Sequence, residues 1–316
     1  AAKLAGRIGR FHTLGMAEET WSLNEGHLSD DAYLDMVADI YGQRERMLFD
    51  TLGQRDSALV VMVFVQPDRV SHMFWRGIDP QHPLHASVNE RGRNAIEWAY
   101  VEADRILGKA MTSLAADDKL VVLSDHGFAP YRHSVHLNRW LLEHGYLALK
   151  NGRSTSGALY QHVDWSRTKA YAQGLNGLFL NVRGRETQGI VSPDEIDTIK
   201  RELSAALTTL KNPVSNETVV SRVYDASVAY RGGETKRAPD MVVGYAPGYR
   251  ASWQTALGGV PATTLEANNQ KWSGDHCIDV DQVPGVLFTN FTLPHAVTRI
   301  ADMSALLLKI APQSKK

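Results

Sequence analysis

Cysteine is nearly absent from this chain. Cys277 stands alone among 316 residues, so neither an internal disulfide nor a thiolate-rich metal cage can be built. An excess of charge is absent too: 34 basic and 35 acidic side chains leave a formal net charge of −1, without the basic surplus of a nucleic-acid binder. No apolar run approaches the roughly 18 residues of a membrane-spanning helix. The opening AAKLAGRIGRFHTLG lacks the apolar middle of a secretory signal, and the chain starts on Ala1 rather than Met, as a cut N-terminus does. The expectation is a cytoplasmic protein with no membrane and no nucleic-acid polymer as partner. No Gly-x-Gly-x-x-Gly turn follows an apolar run, which argues against a dinucleotide-binding fold.

What the chain does have is apolar content, 43%, enough for a substantial core, and 12 histidines. Histidine is the commonest metal ligand and the usual acid–base group near neutral pH. Apolar residues recur at three- and four-residue steps over 29–52, with Asp30 and Asp31 where a helix N-terminus favours acids. Residues 58–65 (ALVVMVFV) read as a fully buried strand. A long amphipathic helix over 88–115 and a second buried strand over 119–124 follow. This strand–helix–strand succession predicts a right-handed parallel crossover with functional residues past the strand ends. Further strands are expected over 178–182, 239–245 and 283–290, and helices over 137–144, 193–210 and 303–310. With no repeat and no linker, 1–316 reads as one α/β domain. Its central sheet is expected to be mainly parallel with helices on both faces, and an irregular α+β region, roughly 130–235, serves as cap or insertion.

Three motifs stand at the carboxyl ends of apolar runs. Asp68 and His72 are four residues apart, a spacing that lets both grip one ion from one helical turn. Ser124-Asp125-His126-Gly127-Phe128 follows the second predicted strand, and Gly127 is expected to allow the sharp turn that sends both ligands into one cavity. Ser273-Gly274-Asp275-His276 precedes the last strand. Each motif alone is a weak signal, more often an ordinary loop than a ligand set; two Asp/His pairs at adjacent strand ends together point to a metal. With one cysteine, the ion is zinc, manganese or iron rather than a soft-site metal.

The run Asp68-Arg-Val-Ser-His-Met-Phe-Trp75, together with SDHGF at 124–128, VHLNRWL at 135–141 and Gly274-Asp275-His276, resembles the type I phosphodiesterase/nucleotide pyrophosphatase branch of the alkaline phosphatase superfamily. The resemblance covers nearly the whole chain. It implies an alkaline-phosphatase-like fold and a hydrolase of phosphoric esters acting on a small-molecule substrate. It also implies two divalent metal ions, Zn2+ first and Mn2+ as the alternative. Asp68, His72 and His276 would hold one ion, Asp125 and His126 the other. Three ligands against two predicts one well-occupied site and one weak site. Asp275 is expected to orient His276.

The family's nucleophilic Thr or Ser and an earlier Asp belong well upstream of the Asp-x3-His motif, and the 67 residues before Asp68 show no apolar strand ending in Asp. The expectation is that this chain is a C-terminal portion and the nucleophile lies on a missing N-terminal part. Thr13, Thr20 and Ser22 are the weaker candidates. Such a chain would self-associate or pair with the missing part. Arg132, His133 and His136 are candidate substrate contacts, or plain loop residues. Asn138 is a helix cap or a ligand contact, and Cys277 a small buried apolar residue. Rival readings are a non-catalytic truncated or degenerate ligand-binding module, or a phosphonate hydrolase, sulfatase or phosphomutase on the same ligands.

Overall fold

A computed structural model describes residues 1–310. Six α-helices open the chain: α1 (Ala2–Ile8), α2 (Thr20–Asn24), α3 (Asp30–Gln54), α4 (Gln66–Ile78), α5 (Glu90–Arg93) and α6 (Ala95–Thr112). The start of α3 follows from its sequence. Ser29 Oγ accepts a hydrogen bond from the Ala32 amide, and Asp30 and Asp31 occupy the first turn, where the helix dipole favours anions. Its buried residues Tyr33, Leu34, Val37, Ile40 and Tyr41 keep the helical spacing. Tyr33, Leu34, Val37 and Tyr41 share a core with Val70, Met73 and Phe74 of α4 and Ala95, Ala99 and Ile106 of α6. Tyr41 donates from its hydroxyl to the Ala99 carbonyl at 2.7 Å, tying α3 to α6 inside this core. The single helix expected over 88–115 is two helices, because Asn89 caps α5 by accepting from the Gly92 amide and the chain re-enters a helix after Asn94.

The strands are short: β1 (Val121–Leu123), β2 (Ala129–Val135), β3 (Ala170–Gln173), β4 (Gly177–Leu180), β5 (Val220–Asp225), β6 (Met241–Tyr245), β7 (Gly248–Ala251), β8 (Leu265–Ala267), β9 (Gly274–Asp275) and β10 (Leu287–Thr289). Among the described residues they form three sheets: β1 with β10; β2 flanked by β7 and β8 with β9 at its start; and the meander β3-β4-β6-β5. The β2–β7 pair is the parallel one; the other strand pairs are antiparallel. The second core lies between these sheets and the helices Leu137–Glu143 and Ile196–Thr208, and draws its residues from 129–283.

The fold is therefore mixed α/β, but two expectations need correction. Residues 58–65 form no strand, and Leu59, Val61 and Val63 face outward. An unbroken apolar run matches a strand buried on both faces, yet burial needs neighbours, and no described segment pairs with it. The parallel crossover from 58–65 to 119–124 consequently does not form, and the sheets are only partly parallel. The closing helix, Met303–Ile310, falls where the sequence placed it.

Candidate metal centre

Asp68 sits in the first turn of α4, just after Pro67, and His72 follows one turn later on the same face. Four ring and carboxylate groups from three distant stretches meet here. The Nε2 atoms of His72, His276 and His126 lie 3.5, 3.8 and 4.0 Å from Asp68 Oδ1. The His126 and His276 rings are stacked, centroids 3.5 Å apart and nearly parallel. Asp125 stands at the rim with its Oδ1 3.6 Å from His126 Nε2, and its side chain is 66% exposed. Asp68, His126 and His276 each offer a ligand atom within 4.8 Å of the others.

The hydrogen bonding explains why these groups suit a cation. His72 donates from Nδ1 to the Gly274 carbonyl at 2.7 Å, since a carbonyl can only accept. His126 Nδ1 faces the Gly127 carbonyl in the same way at 3.0 Å. With Nδ1 so engaged, each ring turns its Nε2 toward a carboxylate oxygen. No proton bridges them; a shared cation would. Such ring-to-carbonyl bonds are the usual means of fixing a metal-binding imidazole. Burial pushes the His72 pKa down to about 3 and lowers that of His276, with His126 adding to the latter. Burial likewise raises Asp68, against the opposing pull of Arg69, whose Nε is 3.5 Å from Asp68 Oδ2. The His72 and His276 imidazoles are thus neutral at neutral pH. A tetrahedral zinc with ligands about 2.0–2.1 Å away implies donor separations of about 3.4 Å. The three separations from Asp68 Oδ1, 3.5, 3.8 and 4.0 Å, exceed this by a few tenths of an ångström, so these donors are compatible with the ion.

The frame around the cluster is aromatic and charged. Trp272 lies on the His72 ring at 3.9 Å, and Phe128 stands among all three imidazoles, 4.8 to 5.5 Å from each. Asp275, 1% exposed, does not bond the His276 ring; it accepts from the amides of His276 and Cys277 and from the Trp272 indole. It holds the backbone that aims His276. Arg250 Nε, equally buried, is 2.6 Å from Asp275 Oδ2 but off the N–H axis, so the pair is an ion pair rather than a hydrogen bond. Burial pushes the Asp275 carboxyl up, but Arg250 together with His72, the Cys277 amide and the Trp272 indole holds it below the usual carboxylate range. Trp272 was not legible as a site residue; its one signal was an aromatic three places before Asp275-His276.

Gly127 works differently from expectation. Its φ is not positive; a Cβ there would stand 2.9 Å from the Pro284 carbonyl oxygen, so glycine admits the 283–285 segment against the SDHGF loop. At Gly274 a Cβ would come within 2.5 Å of the Ser71 carbonyl oxygen, so glycine lets β9 lie on α4.

The three candidate substrate contacts are engaged elsewhere. Arg132 grips Asp79 with two hydrogen bonds, at 2.6 and 2.9 Å, and also bonds Gln81. His133 stacks on Tyr249. His136 is wholly buried between Ser252 and Glu266. Among the described residues no hydrogen bond, ion pair or ring contact joins these three, or Thr13, Thr20 or Ser22, to the cluster. Asn138 neither caps a helix nor faces the cluster: it pairs through both amide atoms with the Ala172 backbone. Cys277 is partly buried, and burial pushes its thiol up to about 12, which suits a small packing residue.

A mixed α/β body brings three imidazoles and a carboxylate together from three stretches of the chain. Residues 17–275 match the model of the type I phosphodiesterase / nucleotide pyrophosphatase family, and the chain belongs to that family. The fold is consistent with an alkaline-phosphatase-like architecture, and the family is one of hydrolases that use divalent metals. His276 falls one residue beyond the matched stretch, so its place in the cluster comes from geometry rather than from the match. No curated protein matches the chain. Among the described residues no helix is long and apolar enough to cross a membrane.

Proposed function

We propose that this chain is a metal-dependent phosphoric ester hydrolase of the phosphodiesterase/pyrophosphatase type, with Asp68, His72, His126 and His276 as the ligands of its principal ion. The observation that carries the reading is the convergence of three Nε2 lone pairs, 3.5–4.0 Å away, on one carboxylate oxygen. A donor set of three nitrogens and one oxygen favours zinc over manganese or magnesium. His126 joins this set rather than a separate one, and Asp125 on the rim is the residue available to a second, weaker ion.

When bound, the ion supplies positive charge where the phosphoryl oxygens and the leaving oxygen gain negative charge. The chain's own residues prepare that spot. Phe128 and Trp272 shield one side of the imidazoles and keep the local dielectric low. Gly274 and Gly127 accept the ring protons at Nδ1, which aims both Nε2 atoms inward. Asp275 and Arg250 fix the loop that delivers His276.

Calorimetric titration of the purified chain with zinc tests the centre. One tight site is expected, weakened about tenfold or more by Asp68→Asn or His126→Gln. No zinc uptake, or uptake indifferent to both substitutions, refutes the ligand assignment. A zinc-loaded chain assayed on aryl phosphodiesters, phosphomonoesters, phosphonates and sulfates tests the reaction class. Turnover of the sulfate alone overturns the phosphodiesterase reading while leaving the metal centre standing.

A further inference from the structure

The loop that carries His276 is fastened at both ends. Upstream, Ser273 seats it on α4 and β2. The Ser273 amide donates to the His72 carbonyl at 2.7 Å, its carbonyl accepts from the Tyr131 amide at 2.8 Å, and its hydroxyl accepts from the Arg76 amide at 2.9 Å. Downstream, the chain crosses onto the meander. The Asp279 amide donates to the Tyr245 carbonyl of β6 at 3.0 Å, and the Asp279 carboxylate accepts from the Tyr224 hydroxyl of β5 at 2.9 Å. A Cβ at Gly244 would stand 3.0 Å from that carboxylate, so glycine lets residue 279 lie against β6.

Asn176, in the turn from β3 to β4, completes the downstream fastening. Its side-chain nitrogen donates to the Val243 carbonyl at 2.7 Å and to the Cys277 carbonyl at 3.2 Å, and its own carbonyl accepts from the Val243 amide at 2.9 Å. A carboxamide nitrogen carries two protons, and both are engaged here on backbone carbonyls. One carbonyl belongs to β6; the other belongs to the residue after a candidate metal ligand, 101 positions along the chain. Alanine would leave both without this donor.

We infer that Asn176 is a positioning residue for the metal centre, a role that rests on the assignment of His276 as a ligand. His276 stands between two pinned neighbours. Asp275 is held by Arg250 of β7 and by the Trp272 indole, and Cys277 by Asn176. Pinning the residue on each side leaves the His276 backbone little freedom, and the backbone sets which rotamers the imidazole can adopt and so where Nε2 points. Zinc–nitrogen bonds of about 2.0–2.1 Å tolerate little displacement of that atom. Asp68 and His72 are carried by α4 and His126 follows β1, so His276 is the ligand whose aim depends on the meander. The stretch expected as a cap or insertion is thereby part of the frame of the centre.

A second asparagine separates positioning from general stability. Asn181 also donates from its side chain to backbone carbonyls of this body, those of Trp165, Thr168 and Gln188, all remote from the His276 loop in sequence. The full chain, Asn176→Ala and Asn181→Ala are titrated with zinc by calorimetry, at a temperature where near-ultraviolet circular dichroism shows all three folded. Asn176→Ala is expected to weaken zinc binding about tenfold. Asn181→Ala is expected to melt lower yet bind within about twofold of the parent. If Asn176→Ala does not fold, Gly244→Ala takes its place, since its Cβ presses Asp279 off the same anchor. Hydrogen exchange of the metal-free chains gives a readout independent of zinc: amides over 274–280 should lose about fivefold in protection in Asn176→Ala, the worth of about one hydrogen bond, and keep it in Asn181→Ala. Zinc bound as tightly by Asn176→Ala as by the parent overturns the inference, as does an equal weakening by Asn181→Ala. A parent that takes up no zinc refutes the ligand assignment instead. Unchanged protection over 274–280 in Asn176→Ala refutes the fastening itself, whether or not zinc binds.

Discussion

Replacing Arg250 with methionine isolates the force that positions His276. Arg250 and Asp275 are each 1% exposed, so the pair is desolvated and little screened by salt. The substitution removes the charge 2.6 Å from Asp275 Oδ2 and the hydrogen bond to the Ala251 carbonyl. The methionine stem keeps part of the packing over Trp253 and Tyr131, where the guanidinium now rests 4.1 and 5.2 Å from the ring centroids. Asp275 is left with two backbone amides and the Trp272 indole as its donors. Breaking a buried pair by deleting one partner costs about 3–5 kcal/mol, and the three surviving donors place this case near the lower end, about 3 kcal/mol. In a chain of this size that lowers the melting temperature by on the order of 10 °C. Urea unfolding of Arg250→Met, Asp275→Asn and the double variant, all without metal, gives the cycle. The double variant should be less destabilised than the sum of the singles, because it leaves no lone buried charge. A cost below about 1 kcal/mol for Arg250→Met, or strict additivity, refutes the view that the pair holds this loop.

Two further outcomes follow from the same packing. Gly274→Ala drives a Cβ into the Ser71 carbonyl, and is expected to cost about 1–3 kcal/mol by urea unfolding and to weaken zinc binding, since β9 must lift from α4; unchanged zinc affinity shows that the β9–α4 seat does not aim His276. For pH, burial raises Asp30, but hydrogen bonds from Arg76 and Lys271 win and hold its carboxyl below the ordinary 3.8. A depressed folded-state value means stability that is complete above the unfolded pKa and lost as pH falls through the folded one. Asp30→Asn should therefore be about 1–3 kcal/mol less stable near neutrality, with the gap narrowing only below pH 3.8; a gap that stays constant into acid rules out the ion pair as its source.

The local signals were read correctly where a short stretch contains its own cause. Ser29-Asp30-Asp31 caps its helix through neighbours three residues away, and Asp68 and His72 share a face because a helix turns every 3.6 residues. Which ligands share one point was not legible. His126 lies with Asp68 and His276 because Gly127 admits the 283–285 segment and β9 pairs with the start of β2, contacts that span more than a hundred residues. Arg132, His133 and His136 looked available because sequence shows a polar side chain but not its partner; Asp79, Tyr249 and Ser252 are brought to them by the fold. Residues 58–65 are the sharpest division between the two. Composition alone determines that this stretch favours an extended strand, since β-branched and apolar side chains suit a pleated surface. Whether it is buried depends on a neighbouring backbone, and hydrogen-bond valence between strands is settled only by tertiary structure.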